Sequence, residues 1–444
     1  MHSVTSRLRL SILSLLSLAV LALTSMSAQA VPSFARQTGM SCQSCHTVFP
    51  ELTAFGRSFK LNGYTMTSLP QIKGKDLSLN KALPISVMLQ TGVTHLNKGV
   101  SGKQNNSVEF PQAFSIYYAG ALTDHMGAFL QATYSQPDGG GFGFDMADFR
   151  YANRSSIGDK TLVYGVTLNN MPGMEDVWNT TPTWKYPYAA PDTENGIPGP
   201  GSDVLVNSLM GAGLGAYALL DNQWYGMVSF YRTAMQGSGA AAPNITGSIN
   251  GLAPYVRLAW QKNLSNQGYL EIGTYALRAA YIGGQNVDGQ GALGLASASD
   301  KYFDLAVDAT YQLPMGNSNQ FTLHAVYVHE KQTLDSTVAS SPNNTLKQTR
   351  IDGNYEIGHD GKFTLGYFNT QGSTNATLYS ANRTNSPDSA GFIAEADYLP
   401  WENTKFSIQY TNYTKFNGAS SNYNSAGRNA SDNNTLYLNA WWMW

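Results

Sequence analysis

Two cysteines three positions apart, with a histidine directly after the second, are the residues of this sequence best suited to do chemistry: Ser41-Cys42-Gln43-Ser44-Cys45-His46. Cys42 and Cys45 can each add to one of the two vinyl groups along an edge of a haem. The adjacent His46 imidazole then lies under the iron. The C-x-x-C-H spacing therefore points to one covalently attached haem c, bonded through Cys42 and Cys45, with His46 as an axial iron ligand. A zinc site would need two further Cys or His ligands at short spacing, and the chain has only 2 cysteines and no second cluster. A dithiol redox pair would need a surrounding βαβ pattern and would leave His46 without a role. The second axial ligand is open at this point. Met66 is the methionine that shortly follows the motif, and a packing role is its alternative. His95 is a rival, read equally as a rim histidine.

The elements that must position this motif begin with a leader. Arg7 and Arg9 precede a mostly apolar run from Leu10 to Leu23, and Ala28-Gln29-Ala30 supplies a small-residue cleavage site. Residues 1–30 are expected to be a signal peptide, with Val31 opening an exported chain. After it no stretch approaches eighteen consecutive apolar residues, so further membrane-spanning helices are not expected. Charged residues make up only 13% of the chain, well below the roughly 25% of soluble domains. Tyrosine (26), glycine (43) and tryptophan (8) are plentiful instead. Few charges, many aromatics and no apolar block fit a β-barrel in an outer membrane. The net charge of −2 argues for neither nucleic acid nor an anionic surface as a partner.

Patterning supports the barrel. Phe303, Leu305, Val307, Ala309 and Tyr311 alternate with Asp304, Ala306, Asp308 and Thr310. The same alternation runs through Leu162 to Leu168, Ile351 to Ile357 and Phe406 to Thr411. Successive strand side chains point to opposite faces, so one face is apolar and the other carries the charge. Tight links, among them 123–125, 157–160, 220–222 and 359–362, alternate with long Gly-, Ser- and Asn-rich links at 136–144, 170–203, 236–250, 283–300, 373–388 and 416–432. Short turns at one rim and long loops at the other are the outer-membrane pattern. The segments number about sixteen, and the last runs from Leu436 to Trp444, ending on an aromatic. The expected fold is all-β: an outer-membrane β-barrel of about sixteen strands over residues 84–444, with a small N-terminal c-type cytochrome plug over residues 31–83. Some fifty residues cannot readily enclose a haem alone, so the barrel should complete its sheath, the plug entering from the periplasmic rim.

Around the motif the residues resemble a known family. Phe34-Ala35-Arg36-Gln37-Thr38-Gly39 precedes it, and Phe55-Gly56-Arg57 and Phe59-Lys60-Leu61-Asn62-Gly63-Tyr64 follow it. Leu168-Asn169-Asn170 and Trp178-Asn179-Thr180-Thr181-Pro182 add a weaker match in a long loop. Together these resemble the fused monohaem cytochrome–porins of iron-oxidising bacteria. The resemblance implies oxidation of extracellular iron(II), the electron passing through the single haem to a periplasmic carrier, either a soluble cytochrome or a copper protein.

Two other classes stay open: a related conduit for a different donor, and a diffusion porin with a structural haem. Asp304, Asp308, Asp352, Glu356, Glu395 and Asp397 fall on the polar, lumen-side face, where oxygen ligands could attract iron(II) but where any such barrel is polar. Glu175 and Asp176, in the loop 170–203, are the better candidates to guide iron, because that loop can fold toward the haem. His125 and His359 read as turn residues and His324 as a barrel residue.

Overall fold

The computed structural model describes residues 31–66, 71–73, 78–80, 83–135, 141–181, 185–191, 203–233, 248–282, 299–335, 341–380 and 383–444. The expected leader, residues 1–30, lies outside them.

Sixteen strands form one closed wall. In order they are β1 (Ile85–Leu96), β2 (Ser107–Ala121), β3 (Met126–Ser135), β4 (Gly141–Ile157), β5 (Lys160–Asn169), β6 (Ala212–Leu220), β7 (Trp224–Arg232) and β8 (Ala253–Asn263). The second half comprises β9 (Tyr269–Ile282), β10 (Ser299–Pro314), β11 (Gln320–Thr333), β12 (Asn343–Ile357), β13 (Gly361–Gly372), β14 (Ser389–Trp401), β15 (Thr404–Lys415) and β16 (Thr435–Met443). Each strand pairs antiparallel with the next, and β16 returns to β1, with Met443 opposite Met88 and Trp441 opposite Gln90. The ring has no free edge, so every ladder donor has a partner in a solvent that offers none. The expectation of an all-β barrel of about sixteen strands is borne out.

The faces follow the sequence alternation. On β10, Phe303, Leu305 and Val307 are exposed outward, while Asp304, Ala306 and Asp308 are buried inward. Tyr164, Val166 and Leu168 on β5 and Phe406, Ile408 and Tyr410 on β15 extend the same outer apolar belt. No helix among the described residues is long and apolar enough to cross a membrane; the crossing is made by strands. An even-numbered, closed barrel with an apolar belt and one short-turn rim is an outer-membrane protein. Residues 122–125, 158–159, 221–223, 264–268, 315–319, 358–360 and 402–403 link strands on the short rim, which faces the periplasm, as do the start of β1 and the end of β16. Residues 97–106 and 334–342 are additional links on the long rim. β4 starts at Gly141, so the link expected over 136–144 is shorter, its second half being taken up by a strand whose Phe142 and Phe144 face outward.

Inside this wall lies the N-terminal segment. Helix α1 (Pro32–Thr38) has proline in its first turn, where the missing N–H costs nothing, and closes on Gly39 at φ 69°. Ser86 Oγ on β1 accepts from the Ser33 amide at 2.8 Å, and Gln37 Nε2 donates to the Ala119 carbonyl on β2 at 2.8 Å. One turn of helix, α2 (Cys42–Cys45), carries the cysteines. Helix α3 (Ala54–Leu61) is capped by Thr53, whose side chain accepts from the Gly56 amide. Its far end is tied to the wall: Tyr217 donates to the Leu61 carbonyl at 2.8 Å, and Tyr64 donates to Asp148 Oδ2 at 2.7 Å. The long link after β5 also folds inward, burying Trp178, whose indole N–H donates to Tyr269 at 2.7 Å.

Candidate functional site

The cysteine–histidine motif is held by its own chain and by the barrel. The His46 amide donates to the Cys42 carbonyl at 2.9 Å, completing the turn of α2, and the Thr53 amide and hydroxyl return to the Cys45 and Ser44 carbonyls at 2.9 and 2.7 Å. From the β14–β15 turn, Glu402 Oε2 accepts from the Cys42 amide at 3.2 Å. That contact places the motif at the short-turn, periplasmic rim. Neither cysteine is in a disulfide; Cys42 is buried and Cys45 half-buried, and burial pushes the Cys45 thiol up to about 11. A thiol in that state is neutral, not a metal-binding thiolate. Among the described residues, no group of three or more His, Cys, Asp or Glu side chains is placed to hold a bare metal ion.

Burial lowers the His46 imidazole to about 4, against weaker opposing effects of the Pro50 and Glu51 backbone and the Glu51 carboxylate. It is therefore neutral at ordinary pH, the form that donates to a metal. Its Nδ1 is buried and makes no hydrogen bond of normal geometry. Five residues on, Glu51 is completely buried. Burial alone would raise its pKa, but the Lys362 ammonium on β13 and the nearby His324 hold the carboxylate well below its usual range. Tyr188 and Asn354 also donate to it, at 3.1 and 3.3 Å.

Cys42, Cys45 and His46 line one cavity of about 300 Å³, at the lower end of the roughly 300–1,000 Å³ of ligand pockets. Its wall is largely apolar and aromatic, with Phe34, Phe49 and Phe59 from the plug and Tyr117, Phe129 and Trp441 from the barrel. Phe34 packs edge-on against Phe59 at 5.0 Å between centroids, and Phe49 against Trp441 at 5.7 Å. Met40, Met88, Met146, Met174 and Met443 also line it, with Lys60, Gln90, Gln131 and Lys185 among its polar members. A second cavity of about 350 Å³ lies on the rim side, where Cys42, His46 and Phe49 meet His359, Asp360, Trp401 and Glu402. Two thiols outside any disulfide and a neutral imidazole lining one largely apolar, aromatic cavity are a donor set that fits a covalently attached haem.

Several expectations are corrected. Met66 does not line the cavity; its sulfur accepts from Arg154 at 3.8 Å. His95 sits at the long-loop end of β1, exposed and bonded to Asn106 at 2.6 Å. It lies seven residues, roughly 23 Å, along the strand from cavity-lining Met88, which removes it as an iron ligand. Glu175 and Asp176 sit in the inward-folded loop but are fully buried. Arg150 and Asn169 donate to Glu175, and Asp176 accepts from the amides of Trp178, Thr180 and Thr181. These two carboxylates hold the loop and do not guide a cation. Five of the six lumen carboxylates are similarly engaged, Asp308 with Arg257, Asp352 with His324, Asp304 with the Val206 amide, Glu395 with Gln409 and Asp397 with Ser407, while Glu356 is buried with an Oε1 that accepts no hydrogen bond of normal geometry among the described residues. They read as the polar lumen of a barrel. His125 and His359 are exposed turn residues and His324 a buried wall residue, as expected.

Met88, Met174, Met443, Trp441 and Glu402 belong to the site but escape a reading of the motif's surroundings. They lie tens to hundreds of residues away: strand register brings in Met88, Trp441 and Met443, the inward fold of the loop after β5 brings in Met174, and the β14–β15 turn brings in Glu402. Inward parity on β1 and β16 is the one signal that would have found Met88 and Met443.

No protein-family model matches the sequence, and no curated protein matches it. The fold does have solved counterparts. The chain is similar to the outer membrane channel DcaP of Acinetobacter baumannii, with a TM-score of 0.50 and 13% identity over 85% of this chain and 100% of that one. It is equally similar to OmpF of Salmonella typhi, solved in complex with daunomycin, with a TM-score of 0.50 and 13% identity over 84% of this chain and 100% of that one. At that identity the likeness speaks for the fold alone, and the fold is that of a porin-like outer-membrane barrel.

Proposed function

We propose that this barrel is an outer-membrane electron conduit, with one haem c joined to Cys42 and Cys45, His46 as an iron ligand, iron(II) outside the cell as donor and a periplasmic carrier as acceptor. One observation carries the reading: the two thiols and the neutral imidazole share a largely apolar cavity inside a membrane-spanning wall, and Cys42 and His46 also border the second cavity on the periplasmic rim. Haem c bound there supplies a one-electron iron couple, matched to the one-electron oxidation of iron(II). The chain does the rest. Phe34, Phe59, Tyr117 and Phe129 exclude water, His46 presents an unprotonated nitrogen, and Glu402 anchors the cysteine turn at the rim where a soluble cytochrome or copper protein can approach. The resemblance of residues 34–64 to the iron-oxidising cytochrome–porins supports the donor. Oxidation at the outer face also keeps insoluble ferric product outside the cell.

The test is stopped-flow mixing of purified, oxidised protein with iron(II) under anaerobic conditions. Reduced-haem bands should grow rapidly. A haem that stays oxidised in excess iron(II) at the growth pH, yet reduces with dithionite, would assign the conduit a different donor. The likeness to a channel protein favours a second reading, a diffusion porin with a structural haem. The plug helices and the buried Trp178 loop inside the wall argue against free diffusion. Steady, large single-channel conductance in a planar bilayer would favour the porin.

A further inference from the structure

Resting on that haem reading, we propose that Met174, carried by the loop that folds into the lumen, is the sixth ligand of the iron. A thioether is one of the axial partners that haem iron takes opposite histidine, and the cavity that holds His46 is lined by five methionines, Met40, Met88, Met146, Met174 and Met443. They are not equivalent. Met40 lies two residues before Cys42, on the side of the thiols. Met443 is on that side too: its amide donates to the Asn403 carbonyl at 2.9 Å, in the same turn whose Glu402 accepts from Cys42. Met88 already has a polar partner, since Tyr117 donates to its sulfur at 3.2 Å. Met146 is only half-buried, on β4 opposite Gln131.

Met174 differs on each count. It is completely buried, and it belongs to a short 3-10 turn, Pro172–Glu175, that comes from neither the thiol side nor the plug. Its position is fixed from behind. Arg150 donates to the Met174 carbonyl at 3.2 Å and pairs with Glu175 at 3.3 Å and Asp148 at 3.0 Å, all of them fully buried. The same Asp148 holds Tyr64 of the plug. One buried ion cluster therefore sets both the plug and the methionine loop, which is the pre-organisation a rigid iron ligand needs.

The experiment uses the full-length haem-loaded protein and reads the ligand by spectroscopy. Wild type should show the weak near-infrared sulfur-to-ferric-iron band and a low-spin spectrum. Met174→Leu should lose that band, gain high-spin character and bind added imidazole, while Met146→Leu keeps the band. Met174→His should stay low-spin without the sulfur band and with a lower potential, which shows ligation even if the leucine variant folds poorly. Retention of the band in Met174→Leu, its loss in Met146→Leu with retention in Met174→Leu, or a wild type without any sulfur band would each overturn the assignment. Haem staining of the same gels separates this from the parent reading: an unstained wild type would remove the haem itself, whereas stained variants with an unchanged spectrum remove only Met174.

Discussion

Gly56 on α3 sits against the carbonyl oxygen of Cys45, so close that a side-chain carbon at position 56 would overlap it. The helix after the motif is packed directly on the turn that carries the cysteines, and only a residue without a Cβ allows that approach. Gly56→Ala should therefore push α3 away from α2 and cost about 1–3 kcal/mol, as overpacking of a tight contact does. Covalent haem yield and the thermal midpoint of the plug should fall together. Unchanged yield and midpoint would mean that the contact has slack.

Cofactor attachment is predicted to depend on both thiols. Cys42→Ala with Cys45→Ala should abolish haem staining on a denaturing gel, while the barrel still shows a strand-dominated circular dichroism spectrum and heat-modifiable mobility. Staining that survives in this double variant would remove the attachment site from these residues.

Lys362 and Glu51 form a completely buried ion pair between the wall and the plug. Lys362→Met should leave the Glu51 charge uncompensated and destabilise the plug by about 3–5 kcal/mol. Adding Glu51→Gln to it should recover most of that loss. Protease cleavage within residues 31–66 is the readout, and equal protection of the single and double variants would refute the coupling.

The plug should also respond to acid. His46 ionises near 6.5 when unfolded and at about 4 in place. A depressed folded value means that the stabilisation is complete above 6.5 and is lost as pH falls toward 4. Glu51, also depressed when folded, adds a loss of the same sign at lower pH, below its unfolded value of about 4.3. In the haem-free cysteine double variant, cleavage of the plug should rise on acidification through this window, and His46→Gln should flatten the upper part. Greater protection at pH 5 than at pH 7 would contradict the sign.

Val307 faces outward near the middle of β10 and Ala306 faces inward. Val307→Arg should weaken folding into lipid vesicles by roughly 2–4 kcal/mol, the cost of a cation in the hydrocarbon layer. Urea unfolding in vesicles measures it; an effect below about 1 kcal/mol would place Val307 outside the midplane.

How far the molecule could be read from its sequence depended on how local each signal is. Alternation such as Phe303 to Thr310 is set by neighbours two apart, so strand identity, facing and the rim pattern were legible, and so was the C-x-x-C-H turn. What surrounds that turn was not. Met66 is near the motif in sequence yet bonds to Arg154, whereas Met443, almost four hundred residues away, reaches the cavity through barrel closure. Glu175 and Asp176 carry charge in a loop, which suggested a guide for iron. Their burial depends on Arg150 and on backbone amides that only the folded loop presents.

The pairing of β16 with β1 bears on the order of assembly. Met88 and Gln90 of β1 lie opposite Met443 and Trp441 of β16, and all four line the cavity. The chamber thus straddles the joint at which the two ends of the wall meet, and it has no complete boundary until the last-made strand zips onto the first. A guest tethered to Cys42 and Cys45 before that joint closes is seated against an open sheet, with no wall of β1 and β16 to pass. Export and tethering in the periplasm would then come first and insertion into the bilayer second, making the final zipper of the barrel also the lid on its contents.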